Sequence, residues 1–191
     1  DITKTITLFL SPARVKNTRF LSISEKNGPQ DQWIFLPALQ KVKRISAGEQ
    51  EGSFMGSDLS YSDMSTFGIK ENADHTILTE EVFQNKNCYV VQSRTKKGED
   101  SSYGKIITWV DKETWLTPRI EFYNKKGTDI VKIMVCENFS QEQGHWFAKK
   151  ISMKTVAENH TTELDFLQVK YDVELPSGYF TTSFLQTGRV R

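Results

Sequence analysis

Short apolar runs recur about every ten residues along this chain, and turn residues separate them. The runs are rich in Ile, Val, Phe and Trp, which are common in strands. This spacing predicts a mainly β protein, with short strands in a meandering antiparallel sheet or barrel. The predicted strands are Lys4–Phe9, Arg19–Glu25, Gln32–Leu36, Lys41–Ile45, His75–Glu81, Cys88–Arg94, Lys105–Asp111, Arg119–Tyr123, Ile130–Cys136, Trp146–Lys154 and Thr162–Tyr171.

The order of apolar and polar residues within each strand predicts which of its faces is buried. Pro118–Tyr123 alternates strictly, which is typical of a sheet with one face toward water. Gln32–Leu36 and Tyr89–Val91 are apolar on both faces, so we expect a helix or a bound apolar ligand to cover them. In Thr162–Tyr171 the apolar phase slips, which predicts a β-bulge or a sharp bend near Phe166.

Helix is predicted at only two places. Ser57 or Asp58 can cap a short helix over Leu59–Thr66 that ends at Gly68, and Phe180–Leu185 can form one more turn. Neither segment is long enough to cover a large sheet. Turns are predicted at Asn27–Pro29, Lys97–Asp100 and Asn124–Gly127, where Gly127 supplies a positive φ.

The charge balance gives no general attraction to nucleic acid. Lys and Arg number 25 against 24 for Asp and Glu, so the net charge is +1. Binding to a phosphate backbone would require a local basic patch. The best cluster, Lys41–Arg44, alternates with Val42 and is better interpreted as the wet face of a strand. We therefore predict no nucleic-acid partner.

Aromatic residues make up 12% of the chain, with 12 Phe and 4 Trp. Rings in that number suit a thick core or the wall of an apolar cavity. The longest apolar stretches, such as Trp33–Leu36 and Ile133–Cys136, are far shorter than the roughly 18 residues that span a bilayer. Cys88 and Cys136 lie in separate strand-like runs; one disulfide is compatible with the sequence, and we favour two buried thiols.

No motif assembles a catalytic, metal or cofactor site. The three histidines, His75, His145 and His160, lie far apart and lack HxxxH or HExxH spacing, so we interpret them as surface or turn residues. No GxSxG elbow is present. Gly52–Asp58 superficially resembles a phosphate loop, yet it lacks the GK[ST] ending. We expect a protein that is not an enzyme and has no cofactor.

One stretch is more specific than any of these motifs. Asp31–Ile45, followed by Gly52–Asp58 and Tyr61–Met64, resembles the signature of the bacterial outer membrane lipoprotein-sorting protein family, relatives of the lipoprotein carriers LolA and LolB. The similarity covers essentially the whole chain in order. It also includes Phe9–Pro12, Phe20–Leu21, Cys88–Val90, Trp109–Glu113, Leu175–Pro176 and Phe180–Thr182.

The resemblance implies an incomplete, strongly curved antiparallel half-barrel with a few short helices around a hydrophobic cavity. We expect at least eight strands in one curved sheet, within a single LolA-like β domain over residues 1–191. Members usually begin with a signal peptide, an amphipathic helix and further strands. Because the chain starts within the strand-like run Ile2–Leu10, we expect it to be N-terminally truncated. We also expect it to self-associate through the exposed N-terminal edge.

The function that the resemblance implies is non-catalytic transport in the periplasm. The carrier would hold lipoprotein acyl chains or another lipid in its cavity and pass them between membranes. The alternative is an accessory interaction module of an inner-membrane RND/MMPL-type transporter, without cargo of its own. Cavity-wall candidates are the large apolar side chains of the resembling segments and neighbouring strands. They are Trp33, Phe35, Phe54, Met55, Met64, Trp109 and Phe122. The flexible thioethers of the two methionines suit a cavity that must adapt to its cargo.

Overall fold

The computed structural model describes residues 2–25, 30–66, 73–96 and 101–190. All eleven predicted strands are present there. Four match their predicted bounds, and five are longer by one to six residues at one or both ends. The first and the last begin two residues earlier than predicted, and the last ends at Asp165 rather than at Tyr171. They are β1 Ile2–Leu8, β2 Arg19–Glu25, β3 Gln30–Leu36, β4 Lys41–Ile45, β5 Ala73–Phe83, β6 Lys86–Thr95, β7 Lys105–Asp111, β8 Arg119–Tyr123, β9 Ile130–Glu142, β10 His145–Thr155 and β11 His160–Asp165. The helical elements are short: α1 Asp63–Thr66, α2 Thr182–Thr187, and the 3₁₀ turns Ala47–Glu49 and Ser177–Phe180.

The strands form two antiparallel sheets that are not closed. One has the order β1-β2-β3-β4, and the other has the order β11-β10-β9-β8-β7-β6-β5. The predicted fold class, mainly β and antiparallel with few short helices, is confirmed. The expectation of at least eight strands in one sheet is wrong, since the larger sheet in the described residues has seven. A hairpin does not join β4 to β5; a long connection containing a 3₁₀ turn and α1 lies between them.

The chain packs as two compact units. The first comprises Asp1–Met55, Ser60–Ser65 and Val173–Arg191, and the second comprises Gly56–Leu59 and Thr66–Asp172. Each unit contains one of the two sheets, because β1–β4 fall in the first and β5–β11 in the second.

In the first unit, β3 is covered on both faces, as its sequence predicts. On one face Phe35 is buried with Leu21 and with Leu185 of α2. The antiparallel register places Ile34 opposite Phe20 on the other face. There the Phe54 ring lies 5.1 Å from the Phe20 ring in an edge-on arrangement. A helix therefore covers one face and an aromatic loop residue covers the other.

In the second unit, the alternation of β8 is confirmed on its apolar face. Pro118, Ile120 and Phe122 are buried. The predicted wet face is wrong, since its residues are half-buried. On that face Arg119 forms an ion pair of 2.7 Å with Glu121. Strand β11 ends just before Phe166, and the backbone bends at the next residue, as the phase slip predicts.

The predicted turn at Gly127 is confirmed, whereas the predicted helix cap at Ser57 or Asp58 is wrong. Gly127 has a φ of 74°, as the predicted turn requires. The predicted helix over Leu59–Thr66 is shorter, and its cap is Ser60 rather than Ser57 or Asp58. The backbone N–H of Asp63 donates to the Ser60 hydroxyl at 3.0 Å, and the Ser60 N–H donates to the Asp63 carboxylate at 2.8 Å. The turns predicted at 27–29 and 97–100, and Gly68, lie outside the described residues.

The two cysteines are buried free thiols, which is the alternative that the sequence favours. Burial raises the pKa of the Cys136 thiol to about 11 and raises that of Cys88 as well. Both groups are therefore poor nucleophiles at neutral pH.

Candidate functional site

A buried apolar cluster lies on one face of the seven-stranded sheet. Its buried members are Cys88, Val90, Ile107 and Trp109, and Phe83 and Tyr123 pack against them. The register explains the grouping, because Val90 opposes Trp109 across the β6–β7 pair. Residues directly opposite each other in an antiparallel pair project from the same face. We define these six residues as the Trp109 cluster.

Charged groups that already have partners border the Trp109 cluster. The indole N–H of Trp109 donates a hydrogen bond to Glu81. The Arg119 guanidinium lies 5.3 Å from the Trp109 ring centroid and 5.6 Å from that of Phe83. Arg119 is also bonded to Glu121, which accepts a hydrogen bond from the Tyr123 hydroxyl at 3.1 Å. The site is thus apolar at its centre, and the charged groups at its border are engaged in hydrogen bonds.

A small recess adjoins the Trp109 cluster through Cys88. Its volume is about 210 Å³. It is lined by Glu80, Glu81, Val82, Asn87, Cys88 and Lys112. Lys112 and Glu80 form an ion pair of 2.5 Å at its edge. The recess therefore has a mixed lining, in which Val82 and Cys88 are apolar and the other four residues are polar or charged.

Phe122, another predicted cavity residue, lies on the opposite face from Trp109. Phe122 opposes Ile106, whereas Trp109 opposes Arg119 in the same β7–β8 pair. Because successive residues of a strand point to opposite faces, the two aromatic rings cannot line one side of this sheet. Phe122 packs instead against Tyr103, with ring centroids 4.8 Å apart.

The remaining predicted cavity residues lie in the first unit. Trp33 and Phe35 share one cluster and one face of β3. Phe54 is buried in the separate group of rings at Phe20. Met55 is half-buried in a left-handed turn with φ 56°, and Met64 is half-buried on α1. The structure therefore brings together only Trp33 and Phe35 of this set, and a lipid-binding role for each residue stays a prediction.

The sequence reasoning missed several members of the Trp109 cluster. Val90 lies in a run recognised as apolar on both faces, and that pattern could have selected it. Phe83 was missed because it lies beyond Glu81, the predicted end of β5. Tyr123 was missed because the alternation of β8 predicts that it faces water. Arg119 carries no local signal for a place between two rings, because its position depends on strand pairing.

A second polar cluster surrounds the buried carboxylate of Asp58. Its oxygens accept the Thr155 N–H at 3.2 Å, the Thr162 hydroxyl at 2.6 Å and the His160 Nδ1–H at 2.6 Å. Burial alone raises the pKa of Asp58, but the hydrogen bonds from Thr155, Thr162 and His160 outweigh it and leave the pKa below its ordinary value. His160, which the sequence predicts to be a surface or turn residue, therefore has a specific partner in Asp58. In the described ranges no group of three or more His, Cys, Asp or Glu side chains is arranged to hold a metal ion.

The fold matches that of proteins described as lipoprotein-sorting proteins. The chain resembles a domain from Vibrio parahaemolyticus described as an outer membrane lipoprotein-sorting protein domain. The two share 31% identity and a TM-score of 0.90, over 97% of this chain and 78% of that one. A DUF1329 family protein from Desulfovibrio piger is also 31% identical, with a TM-score of 0.89, over 94% of this chain and 75% of that one.

A LolA superfamily protein from Nitrosomonas europaea shares the fold, with a TM-score of 0.74 at 21% identity, over 95% of this chain and 78% of that one. A family model described as "Uncharacterized protein" matches residues 1–187. No curated protein matches the chain. The chain belongs to the outer membrane lipoprotein-sorting protein family, which confirms the resemblance. Among the described residues, no helix is long and apolar enough to cross a membrane.

Proposed function

We propose that this chain is a non-catalytic periplasmic carrier that binds the acyl chains of a lipoprotein or another lipid and passes them between membranes. The observation that carries the proposal is the Trp109 cluster, a set of large apolar side chains gathered on one face of a sheet in a lipoprotein-sorting fold. The family relationship supports the carrier class. The cluster supplies buried apolar side chains of the required chemistry.

The physical need for such a carrier follows from the cost of hydrating an acyl chain. Each exposed CH₂ group costs about 0.8 kcal/mol, so a long acyl chain crosses water only when a protein shields it. Release at the next membrane requires that the protein offer no covalent bond and no buried charge to the cargo. The paired Arg119 and Glu121, and the hydrogen-bonded Trp109 indole, are consistent with that requirement.

The alternative, a transporter accessory module without its own cargo, has no support in the comparisons. None of the three relatives reported above is described as a transporter subunit. The two functions differ in one measurable property, because only the carrier binds lipid in the absence of any partner.

A matched pair of substitutions tests the Trp109 cluster. Trp109→Leu and Phe122→Leu each remove a buried ring from neighbouring strands, on opposite faces of the same sheet. We expect Trp109→Leu to weaken binding of a fluorescent fatty acid at least about ten-fold, since the ring supplies roughly 1.5–3 kcal/mol of apolar contact. Phe122→Leu should lower stability and leave the Kd within about two-fold of wild type. Urea unfolding of both variants identifies the folded fraction used in the titrations.

Two outcomes would contradict the proposal. Absence of bound lipid in native mass spectrometry of the full-length protein, together with no fatty-acid binding, would remove the carrier function. Equal loss of affinity in both variants would remove the Trp109 cluster as the site. The sequence-predicted lining by Trp33, Phe35 and Met64 is tested separately with Met64→Glu, which should abolish fatty-acid binding in a folded protein if the cargo contacts Met64.

A further inference from the structure

Strands β1 and β5 each lie at the edge of a sheet. Strand β1 ends the four-stranded sheet, and β5 ends the seven-stranded sheet. In the part of the chain that the structure describes, neither strand forms a backbone–backbone hydrogen bond beyond its own sheet. A row of unpaired N–H and C=O groups is a template for an extended strand of another chain. The chemistry of both edges therefore favours an extended polypeptide as the partner.

Strand β5 is a long and open edge. It has 11 residues, and all of them from Asp74 to Val82 are exposed. Leu78 and Val82 are large apolar residues on this edge. The register with β6 shifts between Ile77 and Thr79, so Thr79–Phe83 is a regular stretch that continues to the end of the strand. Lysine and proline, which commonly protect an edge from pairing, are absent from β5.

The charge of β5 restricts which strand can pair with it. Asp74, Glu80 and Glu81 lie on this strand, and it has no lysine or arginine. Lys112 pairs with Glu80, whereas Glu81 accepts the neutral indole N–H of Trp109. Two copies of β5 laid against each other would bring these carboxylates together, and like charges on facing strands are destabilising. A strand with a cationic residue and apolar neighbours is the better match.

Strand β1 has these properties. Lys4 is its one charged residue and is exposed, and Ile2 is exposed beside it. Ile2 and Lys4 are two residues apart, as are Val82 and Glu80 in β5. An antiparallel pairing of the two strands that places Lys4 beside Glu80 therefore also places Ile2 beside Val82. Both side-chain pairs are favourable between neighbouring strands.

The other two sheet edges match β5 less well. Strand β4 is basic, but it has only five residues, and its Lys43 and Arg44 are already paired with acidic neighbours. Strand β11 carries Glu163 and Asp165, so its charge has the same sign as that of β5. Among the four edges of the described sheets, β1 is the one whose charge and apolar residues complement β5.

We propose that copies of this chain associate by strand addition, with β1 of one copy antiparallel to β5 of the next. The pairing satisfies the backbone groups of both edges and buries Ile2 and Val82, which are 60% and 67% exposed in the single chain. Backbone hydrogen bonds and apolar burial supply the affinity, because an exposed ion pair adds little. The pairing of Lys4 with Glu80 selects the edge. The contact is heterologous, since it uses a different surface on each copy, and it does not depend on the carrier function.

Two double variants of the full chain separate the roles of the two edges. Ile2→Glu/Lys4→Glu makes β1 acidic and leaves β5 intact. Leu78→Lys/Val82→Lys makes β5 basic and leaves β1 intact. Each variant alone should self-associate at least about ten-fold more weakly than wild type in sedimentation velocity, since each loses apolar contact and brings like charges together. All four substituted side chains are exposed, and urea unfolding measures whether the variants keep wild-type stability.

The decisive sample is an equimolar mixture of the two variants. It should associate with about wild-type affinity, because the intact β1 of one variant meets the intact β5 of the other. The matched control is Leu39→Lys, which replaces a residue 63% exposed in the β3–β4 turn and should associate like wild type. Amide hydrogen exchange of associated wild type should show added protection in Ile2–Leu8 and in Thr79–Phe83, compared with dilute protein.

Each alternative has its own outcome. If wild type stays monomeric, the edges do not pair between copies. Self-association of the β1 variant alone would show a contact that does not use β1, such as β5 with β5. Self-association of the β5 variant alone would show that β1 binds another surface. A mixture that stays monomeric, or an equal loss in Leu39→Lys, would also overturn the proposal. Hydrogen exchange on wild type decides the matter even if a variant fails to fold, since unchanged protection of both strands in the associated form refutes strand addition.

Discussion

The hydrogen-bonded carboxylate of Asp58 gives the sharpest prediction for stability. Its side chain is 1% exposed. It accepts three hydrogen bonds, and its own N–H donates to the Thr162 hydroxyl at 2.9 Å. An ionised carboxylate is only an acceptor, so His160 must donate through Nδ1. These bonds attach the segment Gly56–Leu59 to the hairpin of β10 and β11.

Asp58→Ala should lower the free energy of unfolding by about 3 kcal/mol at pH 7. The substitution leaves the Thr155 N–H and the Thr162 hydroxyl, both of half-buried residues, without their acceptor, at about 1–3 kcal/mol for each group. His160→Ala should cost less, about 0.5–1 kcal/mol, because its side chain is 58% exposed. Urea unfolding followed by tryptophan fluorescence measures both values.

The pH dependence of this effect has a definite sign. The folded protein holds the pKa of Asp58 below its ordinary value of 3.8. The carboxylate therefore stabilises the fold fully above that value, and the contribution is lost as the pH falls through 3.8 toward the lower folded pKa. The difference between wild type and Asp58→Ala should thus be constant from pH 7 to about 5 and shrink in more acidic solution.

An exposed pair of the same residue types provides the control. His145 and Asp172 lie 3.7 Å apart, with side chains 54% and 84% exposed. Asp172→Ala should change stability by less than about 0.5 kcal/mol. If Asp58→Ala unfolds at the same urea concentration as Asp172→Ala, or if its penalty does not depend on pH, the reasoning is wrong.

Two further predictions concern the backbone and the sheet edge. A Cβ at Gly104 would lie 2.3 Å from the Lys125 carbonyl oxygen, whereas a Cβ at Gly48 would meet nothing within 4 Å. Gly104→Ala should therefore lower the free energy of unfolding, measured in urea, by about 1–3 kcal/mol. Gly48→Ala should leave it almost unchanged. The edge strand β1 exposes Ile2 at 60% and Leu8 at 46%, and residues 1–191 should self-associate in sedimentation velocity. Ile2→Lys/Leu8→Lys should weaken that association, and a wild-type chain that stays monomeric at high concentration would contradict it.

The local pattern of the sequence was sufficient to locate the strands. Arg19–Glu25, Lys41–Ile45, Lys105–Asp111 and Arg119–Tyr123 match their predicted bounds at both ends. Alternation has a period of two and depends only on neighbours in the chain, so a single sequence contains it. The same locality accounts for the turn at Gly127, where positive φ is a property of one residue.

The grouping of the candidate site residues was decided by tertiary structure. Trp109 and Phe122 look equivalent in sequence, since each is an aromatic residue within a predicted strand. Only the β7–β8 register assigns them to opposite faces, and a shift by one residue would reverse that assignment. Register depends on pairing between strands, which alternation within one strand does not specify.

At Asp58, long-range hydrogen bonds replace the helix cap that the local sequence predicts. Its position before a helical segment predicts a cap, yet its partners Thr155, His160 and Thr162 lie about one hundred positions later. Ser60 and Asp63 form the cap instead. The sequence therefore determined where the chain extends and turns. The tertiary structure decided which polar groups meet, because a buried carboxylate gains more from three donors than a helix end gains from one.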